Sequence, residues 1–353
     1  MSPAPGRPGR QRWVEGGVVG LGVQTFLVTG AAGFIASHTC EALLARGDRV
    51  VGVDNFDPFY PESMKRDNIE SIRRAAGSGG AFEFVVGDIT DREQMRLLFE
   101  RVKPDTLIHL AAKAGVRPSL ENPAAYAHAN VTGTSVLLEA AHQAGVRRCV
   151  VASSSSVYGT IGDDETPRPF SEEQSVERPI SPYAATKRAC ELLGFTHHHL
   201  TGRPVAMLRF FTVFGPRQRP DLAIRLFMER IATGKTITVF GDGGTSRDYT
   251  FIGDIVRGVL ASCEAIDRHG YRIWNLGGSS PVTLETMIDS IARVVGVEPK
   301  MERRAGQPGD VRATWADLSR SRRELGYEPA TPFLDGLRRQ WEWLKPRLER
   351  ATS

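Results

Sequence analysis

The chain has 353 residues, 41% of them hydrophobic and 24% charged, which is enough for one large two-lobed unit with an ample core. Its net charge of +4 comes largely from Arg7, Arg10 and Arg12 and from an arginine-rich C-terminal end; without aromatic–basic interleaving, such ends argue against a nucleic-acid surface. No apolar run approaches ~18 residues, which excludes a membrane-spanning helix, and Cys40, Cys149, Cys190 and Cys263 form no C-x-x-C or Cys/His cluster, so neither a disulfide framework nor a metal site is expected and a reducing cytoplasm fits.

Residues 1–24 are rich in Pro and Gly and lack the apolar core of a secretory signal, so they read as a disordered extension. Thr25–Thr29 then reads as a short buried strand that runs into Gly30-Ala31-Ala32-Gly33-Phe34-Ile35-Ala36. An apolar-periodic helix follows through Leu43 and Leu44 and closes at Gly47; the next strand, 49–53, ends at Asp54. Strand, glycine loop, helix, strand and acid in this order are the context of a dinucleotide fingerprint. Gly30 allows the tight turn, Gly33 lets backbone approach a pyrophosphate at the helix N-terminus, and Ala36 replaces the third glycine. Asp54 lies 24 positions after Gly30, close to the place of the acid that binds ribose hydroxyls; a carboxylate there repels a 2′-phosphate and favours NAD over NADP.

The alternation continues with strands at Phe82–Val86, 106–110, 148–152 and 205–211 and helices at Arg92–Val102, 123–144 and 182–200. It specifies a doubly wound α/β fold with a parallel sheet and helices on both faces. Ligands gather at the C-terminal ends of such strands, where Gly30, Asp88, Ala111 and Ser154 all fall. From about residue 215 the rhythm loosens. A strand at 236–240 and helices at 219–233 and Leu284–Val295, the latter capped by Thr283, suggest a smaller second lobe over 215–345, with 346–353 as a tail. Some of its elements can return to the first lobe, 25–214. His197-His198-His199 point three ways on a helix and read as solvated imidazoles, not as a metal site.

Tyr183 and Lys187 are four residues apart, on one face of a helix started by Ser181 and Pro182. A phenol is a poor base near neutral pH, and an ammonium one turn away favours the phenolate. The serine run 153–156 at a strand end supplies a hydroxyl partner. Together these residues form a proton-transfer unit.

These pieces, in order, resemble the extended short-chain dehydrogenase/reductases of the nucleotide-sugar epimerase group. The likeness spans roughly residues 25–345 and rests on VTGAAGFIASH, VDN, GDI, HLAAKAGVRPS, SSSSVYG, SPYAATK, LRFFTVFGPRQRPD, VFGDGGTSRDYTFIGDIV and GDVRATWAD. It implies a Rossmann-type fold with a smaller C-terminal substrate lobe, an NAD cofactor, and a homodimer packed through the helices at 123–144 and 182–200. Cofactor contacts are then expected from Gly30, Gly33, Phe34, Ile35, Asp54, Asn55, Asp88, Ile89, Leu110, Ala111, Ala112, Lys113, Asn130, Tyr183 and Lys187.

Within the group the chain is most similar to UDP-glucuronate 4-epimerases. No acidic residue precedes Val157-Tyr158-Gly159, unlike in dehydratases and decarboxylases, and Thr212 stands where UDP-glucose 4-epimerases carry asparagine. In Gly215-Pro216-Arg217-Gln218-Arg219-Pro220-Asp221, Arg219 matches an arginine near the sugar carboxylate. The likeness implies C4 epimerisation through a 4-keto sugar, with Tyr183, Lys187 and Ser154 catalytic. A clamp of Ser155, Ser156, Thr212 and Arg219 holds the carboxylate against loss of CO2. Arg117, Phe240, Arg247 and Asp310 serve the UDP-sugar, with Gln307 replacing a usual phosphate-binding arginine. The rival readings are a UDP-glucose/UDP-galactose 4-epimerase, an epimerase or dehydratase of another nucleotide sugar, and a non-catalytic NAD-binding protein, which would be expected to have lost the Tyr183–Lys187 pair.

Overall fold

A computed structural model describes residues 10–14, 17–159, 168–241, 243–305 and 313–352. Seven strands form one wholly parallel sheet, in spatial order Tyr271–Leu276, Val205–Phe210, Arg148–Ser154, Thr106–His109, Thr25–Thr29, Arg49–Asp54 and Phe82–Val86. Successive side chains alternate between two cores. Phe26 and Val28 join Ile108, Val150 and Leu208 on one face, while Leu27 joins Leu107, Val151 and Met207 on the other. Apolar runs buried on both faces are what a helix-covered parallel sheet requires. This is the Rossmann-type doubly wound fold. The chain winds outward from Thr25–Thr29 to Phe82–Val86, then crosses back to Thr106–His109 on the other side of the first strand. The loops at that switch point diverge into a crevice above the strand ends.

The second half of the chain interleaves with the first. Tyr271–Leu276 adds the seventh strand of the main sheet, and the helix Ile252–Ala265 packs on Phe34–Ala45. Two small sheets lie beyond: Ile237–Phe240 with Met301–Arg304, and Ser246–Phe251 flanked by Pro281–Thr283, Ala313–Thr314 and Thr212–Phe214. The helix Leu284–Val295 begins where expected, with the Thr283 hydroxyl accepting from the Thr286 amide.

Several boundaries differ from the sequence reading. The extension is not wholly disordered: Arg10–Val14 and Gly17–Leu21 pair as an antiparallel hairpin. Trp13, Val14, Val18 and Val19 favour extended backbone, a local signal hidden by the Pro/Gly-rich composition around them. The 346–353 tail is likewise helical through Thr352, because Leu344 and Leu348 continue the apolar stripe of Phe333–Thr352 into the core. The helix expected at 219–233 covers only Ala223–Ala232. The Gln218 side chain ties the preceding turn to Val213 and Arg225 instead. The helix Glu62–Ala76 was not foreseen, since Ile69 and Ile72 are its only fully apolar buried side chains.

The span 123–144 is helical in three pieces: Pro123–Tyr126, a π-helical turn Ala127–Thr132, and Gly133–Gln143. The histidine triplet is less solvated than expected. His197 meets His142 edge-on, His198 bonds the Arg203 carbonyl and His199 stacks on Phe195. Among the described residues, no cluster of three metal-ligating side chains occurs and no helix is long and apolar enough to cross a membrane.

Candidate active site

The crevice at the switch point is a cleft of about 610 Å³. One end is made largely of backbone. Gly30 has φ +73°, and a Cβ there would lie 2.9 Å from the Ala111 backbone, so the glycine loop and the loop after Thr106–His109 abut only because that Cβ is missing. Gly33 donates to the Gly30 carbonyl at 2.8 Å and starts the helix Phe34–Ala45 without any side-chain cap. The helix N-terminus is therefore left facing the cleft, which Gly33, Phe34 and Ile35 line.

Asp54 also lines the cleft, its Oδ2 accepting from the Ala32 amide at 3.1 Å and its Oδ1 from the Phe56 amide at 2.8 Å. Burial pushes its carboxyl up, against the pull of those two amides and of Lys65. Asn55 donates to Asp88 Oδ2 at 2.9 Å, which joins the ends of two neighbouring strands. Asp88, Ile89, Leu110, Ala111, Ala112 and Lys113 complete this end.

The other end is built from side chains. Ser181 caps the helix Pro182–Thr201 by accepting from the Ala184 amide at 3.1 Å, with Pro182 in the first turn. Lys187 is buried, and its Nζ donates to the Ala152 carbonyl at 2.8 Å. The ammonium is thus anchored at the strand end that carries the serines. Ser154 accepts from the Ser156 amide at 3.1 Å, and Ser154, Ser155, Ser156, Tyr183 and Lys187 share the cleft wall. The Tyr183 ring meets Tyr126 edge-on at 6.2 Å, and the Tyr126 hydroxyl donates to the Ala114 carbonyl.

Beneath them lies a fully buried ion pair. Arg209 donates to both Glu191 oxygens, at 2.7 and 2.9 Å, and Ser153 donates to Glu191 at 2.7 Å. Arg209 chiefly, through hydrogen bonds and charge, holds the Glu191 carboxyl below its usual range despite burial. Glu191 lies one turn beyond Lys187, so the helix is pinned to the strand of Ser153 and Ser154 at two levels.

Thr212 and Arg219 face the same cleft. Asn130 does not line it. It is buried in the π-helical turn, accepts from the Lys113 amide, and donates to the Lys113 carbonyl and the Thr186 hydroxyl. The wider turn aims Asn130 at the loop that carries Lys113. Arg117, Phe240 and Arg247 also lie outside the lining. The Arg117 guanidinium covers the Phe240 ring at 5.8 Å, and Arg247 donates to the Ser246 carbonyl. Asp310 and Gln307 fall outside the described residues.

Among the lining residues that escaped the sequence reading are Asp57, Phe59, Tyr60 and Lys65. Lys65 is buried, bonds the Asp57 carbonyl and covers the Tyr60 ring at 4.6 Å; Lys113 pairs with the Asp57 carboxylate at 2.8 Å. Burial pushes the Lys65 ammonium down, with Asp54 and Asp57 opposing. A cluster of two aromatics and a lysine soon after Asp54 was the available signal.

A glycine loop at a switch point, an acid after the second strand and a Tyr/Lys/Ser unit at the strand ends define a dinucleotide-dependent enzyme that moves protons on a bound substrate. The chain belongs to the NAD dependent epimerase/dehydratase family, which matches residues 26–277. It is 41% identical over 329 residues to a UDP-glucuronate 4-epimerase of Thermodesulfobacterium geofontis, covering 93% of this chain and 98% of that one. The fold is similar to a Bacillus cereus UDP-glucuronic acid 4-epimerase solved with UDP-glucuronic acid and NAD, with a TM-score of 0.83, 35% identity and coverage of 92% and 99%. It is also similar to a Thermotoga maritima UDP-glucose 4-epimerase solved with UDP-glucose, at a TM-score of 0.80, 29% identity and the same coverages.

Proposed function

We propose that this protein is an isomerase that interconverts UDP-glucuronate and UDP-galacturonate by NAD-dependent epimerisation at C4. The observation that carries this reading is one cleft that joins Tyr183, Lys187 and Ser154 to Thr212, Ser155, Ser156 and Arg219. The likeness to the Thermodesulfobacterium and Bacillus enzymes supports the uronate.

The residues suit the cofactor. The uncapped helix N-terminus and the glycine loop fit a pyrophosphate, and Asp54 and Asn55 fit ribose hydroxyls. NAD, when bound, supplies a reversible two-electron acceptor for C4, by way of a 4-keto sugar. Tyr183 removes the proton of the C4 hydroxyl and later returns it. Lys187, held at the Ala152 carbonyl, sets a fixed cation beside that proton path. Ser154 orients the C4 oxygen. A β-keto acid loses CO2 readily, so Thr212, Ser155, Ser156 and Arg219 hold the carboxylate where that loss is disfavoured. Phe240, Arg247 and Asp310 of the second lobe, with Arg117 of the first, are assigned to the UDP-sugar, and Lys65 joins the cofactor's anion-binding end.

A homodimer is part of this reading. Leu192, Phe195 and Leu200 are exposed on the Tyr183 helix, which supports burial against a second copy. The four cysteines are buried and free, which fits a reducing, cytoplasmic setting. The deciding experiment incubates pure protein with UDP-glucuronate or UDP-glucose without added NAD. Formation of UDP-galacturonate is expected. Conversion of UDP-glucose alone would establish the hexose epimerase instead, and CO2 as the main product would make it a decarboxylase.

A further inference from the structure

Arg219 is held by Asp221, two positions along the chain, and is approached by Phe59 and Gly115 from two distant stretches. Its Nε donates to Asp221 Oδ1 at 3.0 Å and its Nη2 to Asp221 Oδ2 at 2.7 Å. This side-on fork occupies one whole edge of the guanidinium. The face of the group lies 5.1 Å from the centroid of the Phe59 ring. On the third side is Gly115, at φ +112°, where an added Cβ would lie 3.9 Å from Nη2. The arginine side chain is only 16% exposed, while Asp221 is 39% exposed. Arg219 lines the cleft together with Phe59, Gly115 and Tyr183.

A guanidinium carries five N–H donors on two useful edges. With the Nε–Nη2 edge on Asp221, the Nη1–Nη2 edge is left as a second fork that matches a carboxylate. An ion pair two residues apart whose carboxylate is open to solvent contributes little to folding, so stability alone does not account for the bidentate geometry. A long side chain that is already fixed loses less rotamer freedom when it binds a ligand.

We propose that Asp221 and Phe59 are positioning residues that hold Arg219 with its second edge toward the cleft, and so determine selectivity for a nucleotide sugar bearing a carboxylate over a neutral one. The proposal rests on the reading of Arg219 as the partner of the sugar carboxylate. A carboxylate gains two parallel, charge-assisted hydrogen bonds only from an aligned fork, whereas a neutral hydroxymethyl group gains one from almost any orientation. The Asp221 charge sharpens the choice, because a misaligned sugar carboxylate meets its repulsion without compensation.

The test titrates NAD-loaded enzyme with UDP-glucuronate and with UDP-glucose by calorimetry, alongside melting curves that verify folding. Asp221→Ala should weaken UDP-glucuronate binding about tenfold and change UDP-glucose binding less than about twofold. Phe59→Leu should act in the same direction, more weakly, and Asp221→Glu should recover part of the loss. Arg219→Ala should discriminate at least as strongly, and adding Asp221→Ala to it should cause no further weakening. If Arg219→Ala discriminates but Asp221→Ala leaves UDP-glucuronate binding unchanged, tightens it, or weakens both sugars equally, the cradle is wrong and the role of Arg219 stands. If Arg219→Ala weakens both sugars equally, the role of Arg219 fails and the cradle fails with it.

Discussion

The two ends of the cleft are built by opposite means. The cofactor end uses backbone: Gly30 and Gly33, an uncapped helix N-terminus, and a loop that touches the glycine turn where a Cβ is missing. The other end uses side chains, with Lys187 held on the Ala152 carbonyl, Glu191 on Arg209 and Ser153, and Arg219 on Asp221 and Phe59. Backbone recognition tolerates exchange of most neighbouring side chains and accepts one shape of ligand. Side-chain recognition can be retuned residue by residue, which suits the end that must distinguish one sugar from another.

Substitutions can break each end separately. The largest effect on turnover is expected from Tyr183→Phe, which removes the proton acceptor and keeps the ring against Tyr126. Epimerisation should fall at least about a thousandfold while NAD stays bound, as checked by assay and by nucleotide released on denaturation. Next is Glu191→Gln, which leaves the Arg209 charge buried and unpaired. Breaking such a pair costs about 3–5 kcal/mol, to be read from denaturant unfolding.

The same carboxyl predicts a pH signature. Its folded pKa lies below the usual 4.5, so its stabilisation is complete above about pH 4.5 and disappears as pH falls through the lower folded value. The wild type should lose more stability than Glu191→Gln between pH 5 and the acid limit. At the cofactor end, Gly30→Ala places a methyl against the Ala111 backbone at positive φ and should release NAD during purification, with a fall in stability of about 1–3 kcal/mol. The smallest effect is expected from Lys65→Met, a severalfold faster loss of bound NAD with little change in sugar preference.

The backbone-built end was the legible one. A glycine loop, an acid and apolar strands are local patterns, and the structure places Gly30, Gly33, Asp54 and Asp88 in one cleft at the strand ends where those patterns put them. The Tyr183–Lys187 pair was equally legible because one helix fixes both. Phe59, Lys65 and the Asp221 cradle were not: Phe59 meets Arg219 only when stretches more than a hundred residues apart fold together, and the local Lys65–Asp57 and Arg219–Asp221 contacts carry no pattern that marks them out. Asn130 shows a middle case. Its type and position stood out, but only the π-helical turn reveals that it grips Lys113 and does not face the cleft.

The most direct test of the central claim, that Tyr183 and Lys187 set the reaction while Arg219 sets the sugar, is kcat/KM for UDP-glucuronate and UDP-glucose in wild type and Arg219→Ala. The account predicts that the wild type favours UDP-glucuronate and that Arg219→Ala lowers this preference by about tenfold or more, with UDP-glucose turnover nearly unchanged. An equal loss on both sugars would contradict it.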